Sequence, residues 1–378
     1  MREHQTTRLS TGRVTLIEVA HHAGVSRATA SLVLRESPLV AGPTRQRVLS
    51  SMRDLGYVYH RGAASLRTRR SHSVGLVITD ISNPFYSELT AGIEATLDAA
   101  NYVVMLANTA ESLEKQDRLL ATLHENNADG VLFCPSVGTP RATIDALSRW
   151  RLPVVLLVRY LAGLELDYVG ADNALGAEMA VEHLIAHGHH RIAFIGGPAT
   201  SSARYDRVQG FQAALQRRRL PMDQGLMPTS PPTRVGGYEA ILALLARDEP
   251  PTAALCYNDM VAFGVSLGLQ RNGYTPGRDF AVIGFDDVAE AALWHPALTT
   301  VATTPRQIGV AAAELLLSRM NHPQELTRQI ILSPTLVIRS SCGPHSEQAA
   351  SCDTPDRGRE AVALHPIPPK KHIRDRSR

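Results

Sequence analysis

Short, uninterrupted apolar runs recur along most of this chain, each followed by a stretch of helical periodicity. They read "VGLVI" (74–78), "VVMLA" (103–107), "GVLFC" (130–134), "VVLLV" (154–158), "RIAFIG" (191–196), "TAALCY" (252–257) and "FAVIGF" (280–285). A strand with one wet face alternates apolar and polar residues; a run apolar throughout is buried on both faces. That requires a parallel sheet covered by helices. The intervening periodicity predicts helices over 84–100, 112–126, 173–187, 205–219, 234–247, 258–271 and 306–320. The order strand, turn with Pro, long helix occurs twice, once from "GLVITDISNPFYSELTAGIEATLDAANYVVMLA" and once from "IAFIGGPATSSARYDRVQGFQAALQRRRL". The expected fold class is therefore α/β, with two doubly wound parallel-sheet lobes. Ligands in such sheets bind beyond the carboxyl ends of the strands, so the crevice between lobes is the default small-molecule site.

With 378 residues the chain is too long for one ordinary core. Its 44% hydrophobic and 20% charged residues are those of a globular protein rather than a disordered one. No apolar run approaches the roughly 20 residues that span a bilayer, and "MREHQTTRLSTGR" lacks a signal-peptide core. A cytoplasmic protein without membrane partners is expected, nucleoid-associated when on DNA. Cys134, Cys256, Cys342 and Cys352 form no C-x-x-C pair, which predicts reduced thiols and neither a zinc ribbon nor a disulfide framework. The net charge of +3 conceals a split: residues 1–72 carry twelve Arg against four acidic residues, whereas 73–345 carry twenty basic against twenty-seven acidic. A basic head on an acidic body points to a polyanion partner for the head alone.

In the head, "TLIEVAHHA" spaces Leu16, Val19, Ala20 and Ala23 as one helix face, with Thr15 and Glu18 as a capping box. Gly24 ends that helix and Ser26 caps a second, whose Ala30, Val33 and Leu34 face inward. A third begins at Thr44, buries Val48, Met52 and Leu55, and stops at Gly56. Two helices across a short Gly-containing turn form a helix-turn-helix, whose second member can enter a major groove. Its outward face shows Ser26, Arg27, Ala28, Thr29, Ser31 and Leu32. Hydroxyls at a helix N-terminus suit phosphate oxygens, Arg27 suits guanine, and Ala28 and Leu32 suit a thymine methyl. The bland alternative is a solvated helix face.

"TLIEVAHHAGVSRATASLVL", "TRQRVLSSMRDLGYVYHRGAASLR" and "SVGLVITDISNPFY" together closely resemble the lactose/galactose-repressor (LacI/GalR) family of bacterial transcription regulators, in order and spacing. The resemblance runs to about residue 342. It implies a DNA-binding domain over 1–60 and a hinge helix or linker over 61–72. A bilobed effector and dimerisation domain follows over 73–345, with the fold of periplasmic sugar-binding proteins. The N-subdomain takes about 73–171 and 303–334, the C-subdomain about 172–302 and 335–345, with crossings near 170–174, 299–304 and 333–337. Residues 61–69 would enter the minor groove beside the dimer mate, with Leu66 as the apolar wedge, Ala63 beside it and Arg67 on phosphate. Thr15, Leu16, Arg35 and Tyr57 complete the expected DNA contacts. Family members commonly have Asn where Arg35 stands and Pro where Tyr59 stands.

By position in the matching motifs, Asp80, Phe85, Arg207, Asn258 and Asp286 look like effector contacts. Carboxylates, an amide and a guanidinium around an aromatic face are what a polyhydroxylated ligand needs. Asn and Asp at strand-to-helix turns are also common caps, and Asp259 and Asp287 read as caps or turn residues. Arg159 stands near where sugar-binding relatives often have Asp. It either draws an anionic effector, such as a sugar acid or phosphosugar, or makes a surface salt bridge. "SPPTRVGGY" lacks the aromatic some relatives stack on a ligand, though Tyr238 lies nearby.

Rival classes fare worse. Gly264 to Gly268 spell G-x-S-x-G, but Ser266 falls well inside a predicted helix and not on a strand-to-helix elbow, so a serine hydrolase is disfavoured. His183 and His187 in "HLIAHGHH" sit at helical spacing without further ligands, and "IGGPAT" is no phosphate-binding loop. No enzyme activity, metal or cofactor is expected. The expected function is a homodimeric, ligand-controlled repressor on a near-palindromic double-stranded operator, with an activator of the same fold as the alternative. The lobe carrying helices 84–100 and 112–126 would form the dimer. The tail, 346–378, has no Leu heptads and reads as disordered.

Overall fold

The structure, a computed structural model, describes residues 14–57 and 70–343. The head begins with α1 (Leu16–His22), where Glu18 N–H donates to Thr15 Oγ1 at 3.3 Å and Thr15 N–H donates to Glu18 Oε2 at 2.6 Å. This reciprocal bonding satisfies two backbone donors that a helix start otherwise leaves open. Gly24 takes φ +65°, so the chain reverses into α2 (Arg27–Leu34), whose Thr29 N–H donates to Ser26 Oγ at 3.1 Å. The third helix, α3 (Gly42–Leu55), starts two residues earlier than periodicity suggested. Pro43 in its first turn has no N–H to lose and a φ already suited to the helix. Val19, Ala20, Ala30, Val33, Val48 and Met52 meet in one small core.

The N-terminal sheet comprises β1 (Ser73–Ile78), β2 (Val103–Asn108), β3 (Gly130–Phe133), β4 (Val154–Leu157), β5 (Asp167–Ala171) and β10 (Gln329–Leu332), in the order β10-β5-β4-β3-β1-β2. All its pairings are parallel. Helices α4 (Pro84–Ala99), α5 (Leu113–Glu125), α6 (Arg141–Arg149) and α12 (Pro305–Asn321) belong to this lobe. The C-terminal sheet comprises β6 (Ile192–Ile195), β7 (Ala253–Cys256), β8 (Ala281–Asp286), β9 (Thr299–Ala302) and β11 (Thr335–Val337), in the order β11-β9-β8-β7-β6. It is parallel except for β11, which runs antiparallel to β9. Its helices are α7 (Asn173–Ala186), α8 (Ser202–Arg217), α9 (Arg234–Leu245), α10 (Asp259–Arg271) and α11 (Ala289–Leu293). The chain passes between sheets from β5 to α7, from β9 to α12, and from β10 to β11. Each lobe has its own apolar core.

Periodicity missed β5, β9, β10, β11, α6 and α11, for identifiable reasons. β5 opens on Asp167, a charge that no apolar pattern accommodates. In the fold that carboxylate is 2% exposed and receives Arg319 Nε at 2.7 Å, Arg319 Nη2 at 3.0 Å and Arg328 N–H at 2.8 Å. β10 lies at the sheet edge with Gln329 and Ile331 exposed, so it lacks the continuous apolar run of its neighbours. α8 begins at Ser202, three residues before periodicity placed it. Helices α4 and α12 touch backbone to backbone: a methyl group at Gly92 would strike the Arg306 carbonyl, and one at Gly309 the Leu89 carbonyl. No helix among the described residues is long and apolar enough to cross a membrane.

Candidate functional site

The carboxyl ends of both sheets open onto one cavity of about 310 Å³, and Asp80, Phe85, Arg159, Arg207, Asn258 and Asp286 all line it. Asp80 follows β1, where its Oδ1 accepts from Ser82 N–H at 2.9 Å and Ser82 Oγ at 2.6 Å. Asn83 then caps α4 by accepting from Phe85 N–H at 3.0 Å. That cap aims the first turn, with Phe85 and Tyr86, at the cavity. The two rings meet edge to face with centroids 5.3 Å apart.

The C-terminal lobe supplies the guanidinium of Arg207, 5% exposed, lying 3.7 Å over the Phe285 ring and 4.8 Å from that of Tyr257. Its Nε donates to Asn173 Oδ1 at 2.8 Å, Nη1 donates to the Tyr257 carbonyl, and Nη2 lies 3.7 Å from Asp286 Oδ1. Burial pushes the Asp286 carboxyl up to about 7, and the Arg207 charge partly opposes that rise. Asn258 serves both alternatives raised by the sequence: its Oδ1 caps α10 at 2.9 Å from Val261 N–H, and the residue also lines the cavity.

Asp259 caps nothing. It is fully buried, accepting from Val288 N–H at 2.9 Å and Thr300 Oγ1 at 2.5 Å, so it braces the turn after β8 against β9. Burial, with Asp286 nearby, pushes its carboxyl well up. Asp287 pairs with Arg339 at 2.8 Å. Arg159 does form a salt bridge, but not at the surface: it is 6% exposed, with Nη1 2.8 Å from Glu111 Oε1 and 3.3 Å from the Pro135 carbonyl. Tyr238 does not line the cavity; Phe85, Tyr86 and Tyr257 provide its aromatic faces.

Glu111, Tyr86 and Tyr257 escaped sequence reading. Glu111 follows a strand that periodicity ended at 107, and its part depends on left-handed backbone at Ala110 (φ 52°) and Glu111 (φ 61°). Val158 (φ 62°) and Asp286 (φ 117°) are left-handed too. Such conformations cost about 1–3 kcal/mol each for residues with a side chain, and they concentrate at functional sites.

On the head, Arg27 and Ala28 of α2 are exposed, as are Ser26, Thr15 and Arg35. Ser26 Oγ lies 3.0 Å from Thr29 Oγ1, so the two hydroxyls form one polar cluster at the N-terminus of α2. Leu32 is half-buried and packs on the head core, as do Leu16 and Tyr57. Ser31 is also half-buried. Ala63, Leu66 and Arg67 of the expected hinge, and the tail 346–378, lie outside the described residues.

Residues 15–59 match the bacterial regulatory proteins of the lacI family, and residues 71–340 match the periplasmic binding proteins and sugar binding domain of that family. The chain belongs to the LacI family. One LacI-family relative, the ribose operon repressor of Escherichia coli strain K12, is 32% identical over 329 residues, covering 86% of this chain and 99% of that protein. The transcriptional regulator CelR in complex with cellobiose is 30% identical with a TM-score of 0.67, over 87% of this chain and all of that one. The Lac repressor dimer bound to operator and the anti-inducer ONPF shares the fold at a TM-score of 0.79, with 24% identity over 88% of this chain and all of that one. Within this LacI-family chain Ser266 is 1% exposed inside α10, so no nucleophile elbow forms there. His183 Nε2 lies 3.2 Å from Cys342 Sγ, and His187 Nδ1 lies 2.8 Å from the His183 carbonyl.

Proposed function

We propose that the protein is a cytoplasmic, homodimeric repressor whose grip on a near-palindromic operator is set by a sugar or sugar derivative held between its lobes. Asp80 and Phe85 from one lobe and Arg207, Asn258 and Asp286 from the other contact the effector. Arg27 and Ala28 read base edges in the major groove, with Ser26, Thr29 and Arg35 on phosphates. In this division of labour the head runs to residue 60, the hinge over 61–72 and the sensor over 73–345. Closing the lobes on a ligand changes the separation of the two hinges. The free energy available is the ligand's differential affinity for the two states, about 1–3 kcal/mol.

The observation that carries this reading is that one cavity draws carboxylate, amide, guanidinium and aromatic groups from both lobes. A ligand bridging them necessarily senses lobe closure. For the dimer, support comes from the β2 edge of the N-terminal sheet, where Val103 and Leu106 are exposed, with Ile81 and Leu113 exposed nearby. The test maps genomic binding of the full-length protein, then titrates the best fragment by fluorescence anisotropy with and without a panel of sugars. Specific binding that one panel sugar strengthens or relieves is the expected result. Equal grip on random duplex at physiological salt, across the whole panel, would overturn it.

A further inference from the structure

Five ionisable side chains line the interlobe cavity: Asp80, Glu111 and Asp286 with Arg159 and Arg207. Both cations are already engaged. Arg207 is shared among Asn173, the Tyr257 carbonyl and Asp286. Arg159 is held by Glu111 at 2.8 Å. Glu111 is itself fixed at several points: Val137 N–H donates to its Oε2 at 2.9 Å, and its own N–H donates to Thr109 Oγ1 at 3.3 Å. The left-handed pair Ala110 and Glu111 turns the chain at this place, which a non-glycine segment adopts only when its surroundings enforce it. The strain, the backbone bond and the ion pair all hold one carboxylate against one buried guanidinium.

We infer that Glu111 sets the charge of the ligand this cavity admits, by neutralising Arg159 so that neutral polyhydroxylated molecules bind and sugar acids or phosphosugars are turned away. This rests on the proposed effector role of the cavity. A phosphate or carboxylate entering it must displace Glu111 from Arg159, lose the Val137 bond, and then face the carboxylates of Asp80 and the displaced Glu111. The hydroxyls of a neutral sugar donate to those same carboxylates and displace nothing. Rejection of the wrong ligand by a like charge is an ordinary route to specificity. Among the described residues Arg159 Nε is buried without a hydrogen-bond partner, so Glu111 and the Pro135 carbonyl do not fully satisfy this guanidinium.

Removing the charge at constant shape tests this. The full-length protein, its Glu111→Gln variant and a Glu111→Gln/Arg159→Met double variant are titrated with inorganic phosphate and pyrophosphate by thermal shift and calorimetry. Glu111→Gln should bind these anions about tenfold more tightly than the parent, and the double variant should lose that gain. In parallel, D-ribose is compared with D-ribose 5-phosphate, and D-glucose with D-gluconate, on the parent protein. The neutral member of any pair that binds should win by at least about tenfold. Unchanged anion affinity in a folded Glu111→Gln variant overturns the inference, as does a parent protein that prefers the acid or phosphate. If Glu111→Gln fails to fold, the comparison on the parent decides alone when either member of a pair binds. When none binds, phosphate or pyrophosphate binding by the parent overturns the inference and its absence supports it. Operator release is read separately by anisotropy, so failure of the effector reading leaves the anion result interpretable.

Discussion

The Tyr160 hydroxyl donates to Asp206 Oδ1 at 2.7 Å, joining the loop after β4 in one lobe to α8 in the other. The Tyr160 N–H adds a second bond across the same gap, to Ser202 Oγ at 3.0 Å. Burial pushes the Asp206 carboxyl up, while the Tyr160 hydrogen bond and the Arg207 charge draw it back. These bonds link the two lobes whose strand ends form the cavity.

Tyr160→Phe should therefore shift lobe closure without touching the effector. A hydrogen bond to a charged group contributes about 1.5–3 kcal/mol when buried, so this partly buried one should be worth about 1 kcal/mol. Small-angle scattering should show a wider unliganded particle, and the effector concentration for half-response should move several-fold. Identical scattering and response would show that the bond follows closure and does not favour it.

Arg27→Ala should relax discrimination at one base pair in each half-site, by about 1–3 kcal/mol at each. Anisotropy against a library of single-base operator variants checks it. Weakening that is uniform over all sequences would reassign Arg27 to phosphate.

Asp286 gives a pH dependence of definite sign. Its folded carboxyl titrates at about 7, against 3.8 for the free group, so the folded state binds the extra proton between these values. Stability then falls as pH rises from about 4 to 7 and levels off above, because the unfolded chain releases that proton more readily. Thermal midpoints of the parent and Asp286→Asn should diverge over that window, the variant lacking this share of the decline. Parallel curves would show that the Arg207 charge holds Asp286 ionised throughout.

Asp167→Ala should be the most damaging of these changes. It leaves the Arg319 guanidinium, at 11% side-chain exposure, without its counter-charge and with only backbone carbonyls such as those of Glu325 and Leu326 as acceptors, and it removes the partner of the Arg328 N–H. Breaking a buried pair from one side costs about 3–5 kcal/mol. Urea unfolding reads the loss, and Asp167→Ala/Arg319→Met should recover part of it because the stranded charge goes too.

The double series of apolar runs is enough for two parallel sheets, because burial on both faces leaves a pattern in consecutive residues. The head is legible for the same reason: Thr15, Glu18, Gly24 and Ser26 act on their immediate neighbours, and capping is local chemistry. Asp80, Arg207, Asn258 and Asp286 stand at strand ends or early in helices, where topology alone directs them to one crevice. Tertiary structure decided what happens between segments distant in sequence. Whether Arg159 is a free cation depends on Glu111, forty-eight positions earlier and set by two left-handed residues. Whether Asp167 belongs in a strand depends on Arg319 from a later crossing. That Leu32 is half-buried against the head core is likewise set by packing between helices. Periodicity records which face a residue buries, whereas charge pairing and burial depth depend on partners that only the folded chain brings within a few ångströms.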